Sequence, residues 1–313
     1  MNNGTKLNFS VSPHIHSGRS TSRIMLDVVI ALLPATVAGT VIFGLRSLLV
    51  IATCIASCVG LEALFNIICK KEQTVGDFSA IVTGLLLGLN LPAAIPLWQC
   101  VIGSAFAIVV VKALFGGIGC NPVNPAITAR VFMIISFGSM TVTSFPKAVD
   151  TVSSATPLEL GYAGQTPDLL DVFLGKTGGS IGETCALALL IGFVYLLVRR
   201  VISWHLPVAF VGTVYVLSFF MEGLDPIKAL VMILSGGLLI GAIFMATDYV
   251  TSPATALGKL IFGIGAGLIT FLIRYFGTYP EGVSFGILFM NILTPYIDSW
   301  TKHKVFGVGG KKA

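Results

Sequence analysis

Charged residues are scarce in this sequence. Lys, Arg, Asp and Glu together make up 11% of its 313 residues, whereas hydrophobic residues make up 55%. A soluble domain carries charge on about a quarter of its residues. The mean hydropathy of +0.93 is also well above that of a typical soluble domain. One water-soluble core is therefore excluded, and an all-α polytopic membrane protein is predicted.

Several cofactor and targeting signals are also missing. The six cysteines contain no C-x-x-C pair, and no histidine completes a ligand set beside them, so neither a metal site nor a cysteine-bound Fe–S cluster is predicted. The sequence has no glycine-rich nucleotide-binding fingerprint. Residues 1–23 are polar and lack the apolar stretch and cleavage site of a secretory signal, so the first apolar segment is expected to be retained. The net charge of +5 lies mainly in short loops and tails, which indicates a topology signal and no nucleic-acid partner.

Long apolar runs, bounded by charges, glycines or prolines, recur from residue 24 to residue 300. Each has about the length that a bilayer requires. They predict about ten transmembrane helices, near 24–44, 47–69, 78–96, 98–118, 124–140, 182–198, 205–221, 227–247, 254–276 and 283–300.

Positive charge follows the even-numbered segments. Lys70 and Lys71 follow the second, Arg199 and Arg200 follow the sixth, and a basic tail follows the tenth. The positive-inside rule places these connections and both termini in the cytoplasm. The predicted organisation is a cytoplasmic tail (1–23), a first five-helix repeat (24–140), an extracytoplasmic loop (141–181), a second five-helix repeat (182–300) and a cytoplasmic basic tail (301–313).

Two short patterns recur between the halves. Residues 83–88 (TGLLLG) are echoed by residues 235–241 (SGGLLIG), and Asn124-Pro125-Ala126 is echoed by Ser252-Pro253-Ala254. Because five helices per repeat is an odd number, the two copies are expected to be inverted in the membrane.

A proline-rich stretch, Asn121-Pro122-Val123-Asn124-Pro125, interrupts the apolar pattern in the first half. Proline breaks helices and leaves carbonyl groups that lipid cannot satisfy. A break at membrane depth should line a polar cavity or a bound ligand. The alternative is a simple surface turn between the fourth and fifth segments.

The long loop carries a run of small hydroxylated residues, Ser153-Ser154-Ala155-Thr156, followed by Pro157. A flavin mononucleotide can be tied to protein as a phosphoester of a threonine hydroxyl. Such a site needs an accessible hydroxyl on a loop, small neighbours and no adjacent negative charge, and this run has all three. The same run is also typical of an ordinary linker.

Two motifs carry a resemblance to a known family. Asp150-x-x-Ser153-Ser154-Ala155-Thr156 resembles the flavinylation motif Asp-x-x-Ser-Gly-Ala-Thr, and residues 116–126 (GGIGCNPVNPA) are similar to a glycine-asparagine-proline stretch of the same family. The family is that of the D subunit of the Rnf complex, with the B subunit of the sodium-pumping NADH:quinone oxidoreductase as its paralogue. The resemblance covers essentially the full length. Ser154 stands where the motif usually has glycine.

The resemblance implies a bacterial cytoplasmic-membrane subunit of a ferredoxin:NAD+ oxidoreductase that moves Na+ or H+ outward. It implies covalent FMN on Thr156, attached by a flavin transferase, and the A, B, C, E and G subunits as partners. A second, non-covalent flavin such as riboflavin is also implied. Candidates to hold that flavin are Asn121, Asn124 and Arg130.

Ion movement needs polar or ionisable groups at membrane depth. Lys112, Arg130 and Arg274 are candidate partners of such acids, although helix ends near headgroups also carry charge at little cost. Asp248 is favoured because it lies beside Pro253, where backbone carbonyls could coordinate a cation. The candidate acids are Asp27, Glu62, Asp77, Asp225 and Asp248.

Two other functions fit the residues. A channel or facilitator would use inverted repeats with paired Asn-Pro-Ala and Ser-Pro-Ala motifs and would need no cofactor. A structural subunit would only hold partners. The sequence does not distinguish Na+ from H+, nor does it give the direction of electron flow.

Overall fold

The computed structural model describes residues 20–138, 168–277 and 282–302, and its regular structure there is helical. The all-α prediction is thereby confirmed. The helices are α1 (Thr21–Phe43), α2 (Leu45–Ile68), α3 (Ser79–Leu89), α4 (Leu97–Ala105, continued by a π-helical stretch Phe106–Ala113), α5 (Pro125–Ser136), α6 (Leu169–Leu174), α7 (Ala186–Val198), α8 (His205–Met221), α9 (Pro226–Leu234), α10 (Leu238–Ile240, continued by a π-helical stretch Gly241–Met245), α11 (Ala256–Phe276) and α12 (Val283–Thr301).

Except for α6, which falls within the predicted loop 141–181, these helices occupy the apolar segments predicted from the sequence, but many are shorter than expected. Within the described ranges, three helices (α1, α2 and α11) are long and apolar enough to cross a membrane alone. A fourth crossing is formed if the bent pair α9 and α10 counts as one span. The shorter apolar helices are α3, α4, α5, α7 and α8. The figure of ten crossings, the two inverted repeats and the predicted domain boundaries stay predictions.

Helix α2 runs between two opposite ends of the molecule. One end holds Cys69, just after α2, and we call it the Cys69 end. The other holds Arg46, in the first turn of α2, and we call it the Arg46 end. Since α2 has 24 residues, its ends lie about 36 Å apart at a rise of about 1.5 Å per residue.

The broken helix between α9 and α10 turns at three residues, Ser235 to Gly237. The two helices meet at an angle of 65°. Gly236 and Gly237 both have φ of 68°, a left-handed conformation that glycine adopts without steric penalty. Pro253 lies in the turn between α10 and α11, between two helices, where the proline pattern of the sequence indicates an interruption. The break at Ser235 to Gly237 lies within one predicted apolar segment and was not predicted.

A second irregular segment follows α3 and ties the halves together. Leu91 and Ile95 are buried although they lie outside any helix. The amide of Gly182 donates to the carbonyl of Leu89 at 2.7 Å, and the amide of Ile181 donates to the carbonyl of Leu91 at 3.1 Å. These bonds satisfy carbonyls that the end of α3 leaves open.

Candidate functional site

A cavity of about 150 Å³ lies at the Cys69 end, between α1, α3, α4, α7 and the turns before α5 and after α10. Its walls are mainly aliphatic, with Phe244 and Tyr249 beside them. A few polar side chains interrupt these apolar walls, which is the usual composition of a small-molecule site. The polar members are Ser79, Thr83, Lys112, Asn121, Asn124, Thr247 and Asp248.

Asn124 is fixed at the cavity by bonds from both ends of its amide. Its Oδ1 accepts from the amides of Ala126 (3.0 Å) and Ile127 (3.3 Å), so it caps α5, with Pro125 as the first helical residue. Its Nδ2 donates to the carbonyl of Met245 at 3.1 Å. The proline-rich stretch is thus a turn between α4 and α5, yet Asn121 and Asn124 are buried in it and line the cavity.

Lys112 brings a buried charge to the same cavity. Its Nζ lies 2.8 Å from Glu62 Oε2, and both side chains are only 5% exposed. Nζ also donates to Ser79 Oγ at 2.6 Å, and Thr74 donates to Glu62 Oε1 at 2.7 Å. Lys112, one of the candidate basic partners, is therefore the partner of Glu62. Asp77 accepts from the Ser79 amide at 2.8 Å and so belongs to the same network.

Asp248 lies in the turn after α10, outside both neighbouring helices, and faces the cavity. Its carboxylate accepts from the amide of Val250 at 3.4 Å and the hydroxyl of Thr251 at 3.3 Å. Burial raises the pKa of the Asp248 carboxyl to about 6, because it disfavours the charged form.

Arg130 is not among the cavity residues and lies in a second polar centre. Its Nη1 donates to Asn90 Oδ1 at 2.5 Å. A Cβ atom on Gly237 would lie 3.4 Å from Arg130 Nη1 and 3.2 Å from Glu183 Oε2. Both charged groups therefore converge on the break between α9 and α10.

Met245 joins the second centre to the cavity. Asn90 Nδ2 lies 3.4 Å from its sulfur, and Asn124 donates to its carbonyl. Asn90 and Glu183 were not singled out from the sequence. A signal for both existed, since each is a polar residue within a predicted apolar segment and has no basic cluster beside it.

The carbonyls at the break are bound by Arg274, in the last turn of α11. Its Nη1 donates to the carbonyl of Met232 at 2.7 Å, and its Nη2 donates to those of Ser235 (3.0 Å) and Gly236 (3.1 Å). The arginine is 4% exposed. These bonds satisfy backbone groups that the bend removes from helical pairing.

Two of the candidate acids, Asp27 within α1 and Asp225 at the N-cap of α9, are not among the residues that line the cavity. Asp27 pairs with Arg199 at 3.2 Å and accepts from the hydroxyl of Tyr195 at 3.0 Å. Asp225 caps α9 by accepting from the amide of Ile227 at 2.9 Å. Neither lines the cavity, and each has a local role in holding helices.

The flavinylation motif lies outside the described residues. Asp150, Ser153, Ser154, Ala155 and Thr156 all fall in the range 139–167. The part of the chain that the structure covers contains no cluster of three or more His, Cys, Asp or Glu side chains that could hold a metal ion.

Comparison with known proteins gives a full-length match. The family model for the "NQR2, RnfD, RnfE family" matches residues 8–307. The D subunit of the Na(+)-translocating ferredoxin:NAD(+) oxidoreductase complex of Acetobacterium woodii is 48% identical, over 98% of this chain and 97% of that protein.

Two further relatives match over similar lengths. The D subunit of the proton-translocating ferredoxin:NAD(+) oxidoreductase complex of Clostridium ljungdahlii is 42% identical, over 95% of each chain. The D subunit of the ion-translocating oxidoreductase complex of Cronobacter sakazakii is 36% identical, over 95% of this chain and 97% of that protein. The chain described here therefore belongs to the NQR2, RnfD, RnfE family.

Proposed function

We propose that this chain is a membrane subunit of a redox-driven complex that moves Na+ or H+ across the bacterial cytoplasmic membrane. The proposal rests on the family match over residues 8–307, together with the names of the relatives as subunits of ion-translocating ferredoxin:NAD(+) oxidoreductases. The sequence has neither a dinucleotide-binding fingerprint nor an Fe–S cysteine set. Partner subunits must therefore oxidise ferredoxin and reduce NAD+.

Thr156 carries FMN through a phosphoester bond in this proposal. The observation that carries it is the motif from Asp150 to Thr156 in a chain of this family. The bound flavin supplies an electron carrier on the extracytoplasmic side. Ser154 and Ala155, beside Thr156, are small, as a site recognised by a flavin transferase requires.

The cavity at the Cys69 end holds the second, non-covalent flavin. Its composition supports this assignment, because apolar walls suit the faces of a flat ring system and interspersed polar residues such as Asn121 suit the ring edges. The deeply buried Lys112 adds one positive charge to the same wall. Arg130 has no place in this site, since it binds Asn90 instead.

Asp248 is the acid we assign to the ion route at this end. Asp248 lines the cavity, and with a pKa of about 6 its carboxyl can exchange a proton near neutral pH. A carboxylate with that property can also bind a cation in competition with a proton. The relatives are named for different ions, Na+ and protons, so one site that accepts either is a sufficient explanation.

The experiment for Thr156 is in-gel flavin fluorescence of the denatured chain, expressed together with a flavin transferase. Thr156→Ala is expected to remove the fluorescent band, because no hydroxyl is left to form the phosphoester. Thr151→Ala in the same loop is the matched control and is expected to retain the band. If neither the wild-type chain nor the control fluoresces while the transferase modifies a known substrate, the assignment of covalent FMN is wrong. Such a result would favour the channel or the structural-subunit alternative.

The cavity is tested in the Thr156→Ala background, where any flavin that remains is non-covalent. Flavin released from the purified chain by acid is separated by chromatography and quantified. Val82→Trp fills the cavity from α3 and is expected to abolish the released flavin. Val101→Trp, at an exposed position of α4, is expected to leave it unchanged. Equal flavin in all three proteins would place the second flavin elsewhere.

A further inference from the structure

The break between α9 and α10 has the form of a cation site, but an arginine fills it. Three carbonyl oxygens, from Met232, Ser235 and Gly236, converge within 3.1 Å of the Arg274 guanidinium. In transporters the unwound backbone of a discontinuous helix coordinates the coupling ion with such carbonyls. Here the three oxygens bind a cation that belongs to the protein.

The chemistry of arginine decides what this cation can do. A guanidinium group stays protonated under all physiological conditions, and its planar fork donates to several acceptors at once. Unlike a bound metal ion, the guanidinium cannot leave the break. Unlike a lysine, it cannot lose its charge. A fixed positive charge at a constriction raises the barrier to other cations.

The surroundings strengthen this barrier. The next residue of the break, Gly237, lies beside the Arg130 guanidinium and the Glu183 carboxylate. Two buried arginines and one partly buried carboxylate therefore surround three residues of unwound backbone. A passing cation would meet a net positive charge and carbonyl oxygens that are already bonded.

We propose that Arg274 is a resident cation that seals the broken helix against cation leak, so that ions cross the membrane only along the route used by electron transfer. This proposal rests on the proposed function as an ion-translocating subunit. Arg274 is not among the cavity residues, so in this proposal it excludes cations from the break and does not conduct them.

Arg46 provides a matched control. Its Nε donates to the carbonyl of Ala93 at 3.1 Å, and its Nη2 donates to those of Ala94 and Ile95 at 3.3 Å each. The bonding is that of Arg274, three carbonyls of an irregular segment, but Arg46 is an exposed residue at the surface. Loss of Arg46 removes the same number of hydrogen bonds without removing a charge from the interior.

The experiment measures passive uptake of sodium-22 by liposomes that contain the purified full-length chain. A potassium diffusion potential set by valinomycin drives uptake, and no electron donor is present. Arg274→Gln keeps an amide donor but removes the charge, and we expect it to raise uptake at least about tenfold. Arg46→Gln is expected to stay within about twofold of wild type, because it removes no charge from the interior.

Arg274→His distinguishes the effect of the charge from an effect on folding, because its charge can be changed by pH within one protein. Histidine titrates near pH 6.5, so uptake is expected to be low at acidic pH and to rise reversibly as the pH increases. Wild-type liposomes measured over the same pH range correct for any uptake that does not depend on the histidine. If Arg274→Gln cannot be purified in folded form, this variant carries the test alone.

Three results would overturn the proposal. They are a folded Arg274→Gln chain with wild-type uptake, an equal leak in Arg46→Gln, and a leak in Arg274→His that does not follow pH. None of them depends on electron transfer. A failure of the ion-translocating function would appear separately, as the absence of donor-driven sodium or proton movement in liposomes that contain the whole complex.

Discussion

Some charged side chains in the interior of this protein are paired with a side chain of opposite charge. Glu62 and Lys112 are the clearest case, with both side chains 5% exposed and their charged atoms 2.8 Å apart. Two buried charges seldom add much stability together, but one left alone is strongly destabilising. The pair also determines the charge that faces the cavity, because Lys112 lines the cavity wall and Glu62 does not.

The change Lys112→Met is expected to lower the stability of the purified chain by about 3 to 5 kcal/mol, because it leaves Glu62 buried and unpaired. The measurement is the temperature at which half of the detergent-solubilised protein is lost from its monodisperse chromatographic peak. The double change Glu62→Gln with Lys112→Met should recover much of the loss, since it removes both charges.

The matched control for this pair is Lys176→Met. Lys176 pairs with Asp171 at 3.6 Å, but the two side chains are 69% and 47% exposed, and exposed pairs contribute about 0 to 1 kcal/mol. A loss for Lys112→Met no larger than that of the control would contradict the argument from burial.

The sequence predicted some of these residues and not their pairing. Lys112 and Glu62 stand out as charges within apolar runs, which is a local property. Their contact spans 50 residues, and it depends on how α2 and α4 pack. Asn90 and Glu183 were missed for the same reason, because each gains its role only when α3, α5 and the α9–α10 break meet.

Helices in this molecule approach one another closely at glycine residues, which have no side chain. Gly84 of α3 faces α2, and a Cβ at that position would lie 2.7 Å from the Cα of Ile55 and 2.9 Å from the carbonyl oxygen of Cys54. Both atoms belong to the backbone, which cannot rotate away. Close backbone approach of this kind is the usual means of helix association in lipid.

Gly84→Ala is expected to destabilise the chain by about 1 to 3 kcal/mol, because α3 must move away from α2 to admit one methyl group. The readout is again the midpoint of thermal loss in detergent. Gly60→Ala in α2 serves as the control, since a Cβ there meets no atom within 4 Å. Equal midpoints for the two variants would show that the α2 and α3 backbones are not in contact.

At the level of elements, the apolar segments predicted the helices better than they predicted the breaks. Hydrophobicity sets where a helix can lie in lipid, so the segment near 205–221 coincides with α8, His205–Met221. The position of a break depends on backbone conformation. Prolines indicated the interruption near Ser252-Pro253, which is the turn between α10 and α11. The break at Ser235 to Gly237 was not predicted, because it is made by two glycines with positive φ.

The whole molecule has opposite ends that can be distinguished chemically. Cys69 and Cys120 are exposed free cysteines. Cys69 follows α2 and Cys120 follows α4, and the contact between Glu62 and Lys112 brings the ends of these two helices together. Lys176 belongs to the Arg46 end, because the neighbouring Gly175 lies beside Ile42, next to the start of α2. The positive-inside rule predicts that the Cys69 end faces the cytoplasm.

A membrane-impermeant thiol reagent is expected to label Cys69 and Cys120 in inside-out vesicles and not in right-side-out vesicles. Each cysteine is tested alone in a chain without the other exposed thiol. Lys176→Cys is the control with the opposite expectation, labelled only in right-side-out vesicles. Labelling of Cys69 and Cys120 from different sides would contradict the shared end, and labelling of all three from one side would contradict the topology.

The two backbone bonds from Gly182 to Leu89 and from Ile181 to Leu91 have a consequence for biosynthesis. The carbonyls of Leu89 and Leu91 enter the membrane with the first half, about 90 residues before their donors leave the ribosome. In the interval they must be satisfied by water or by the insertion machinery, because lipid offers no donor. The first half therefore completes its fold only after synthesis of the second has begun, and the order of translation becomes part of how this fold is reached.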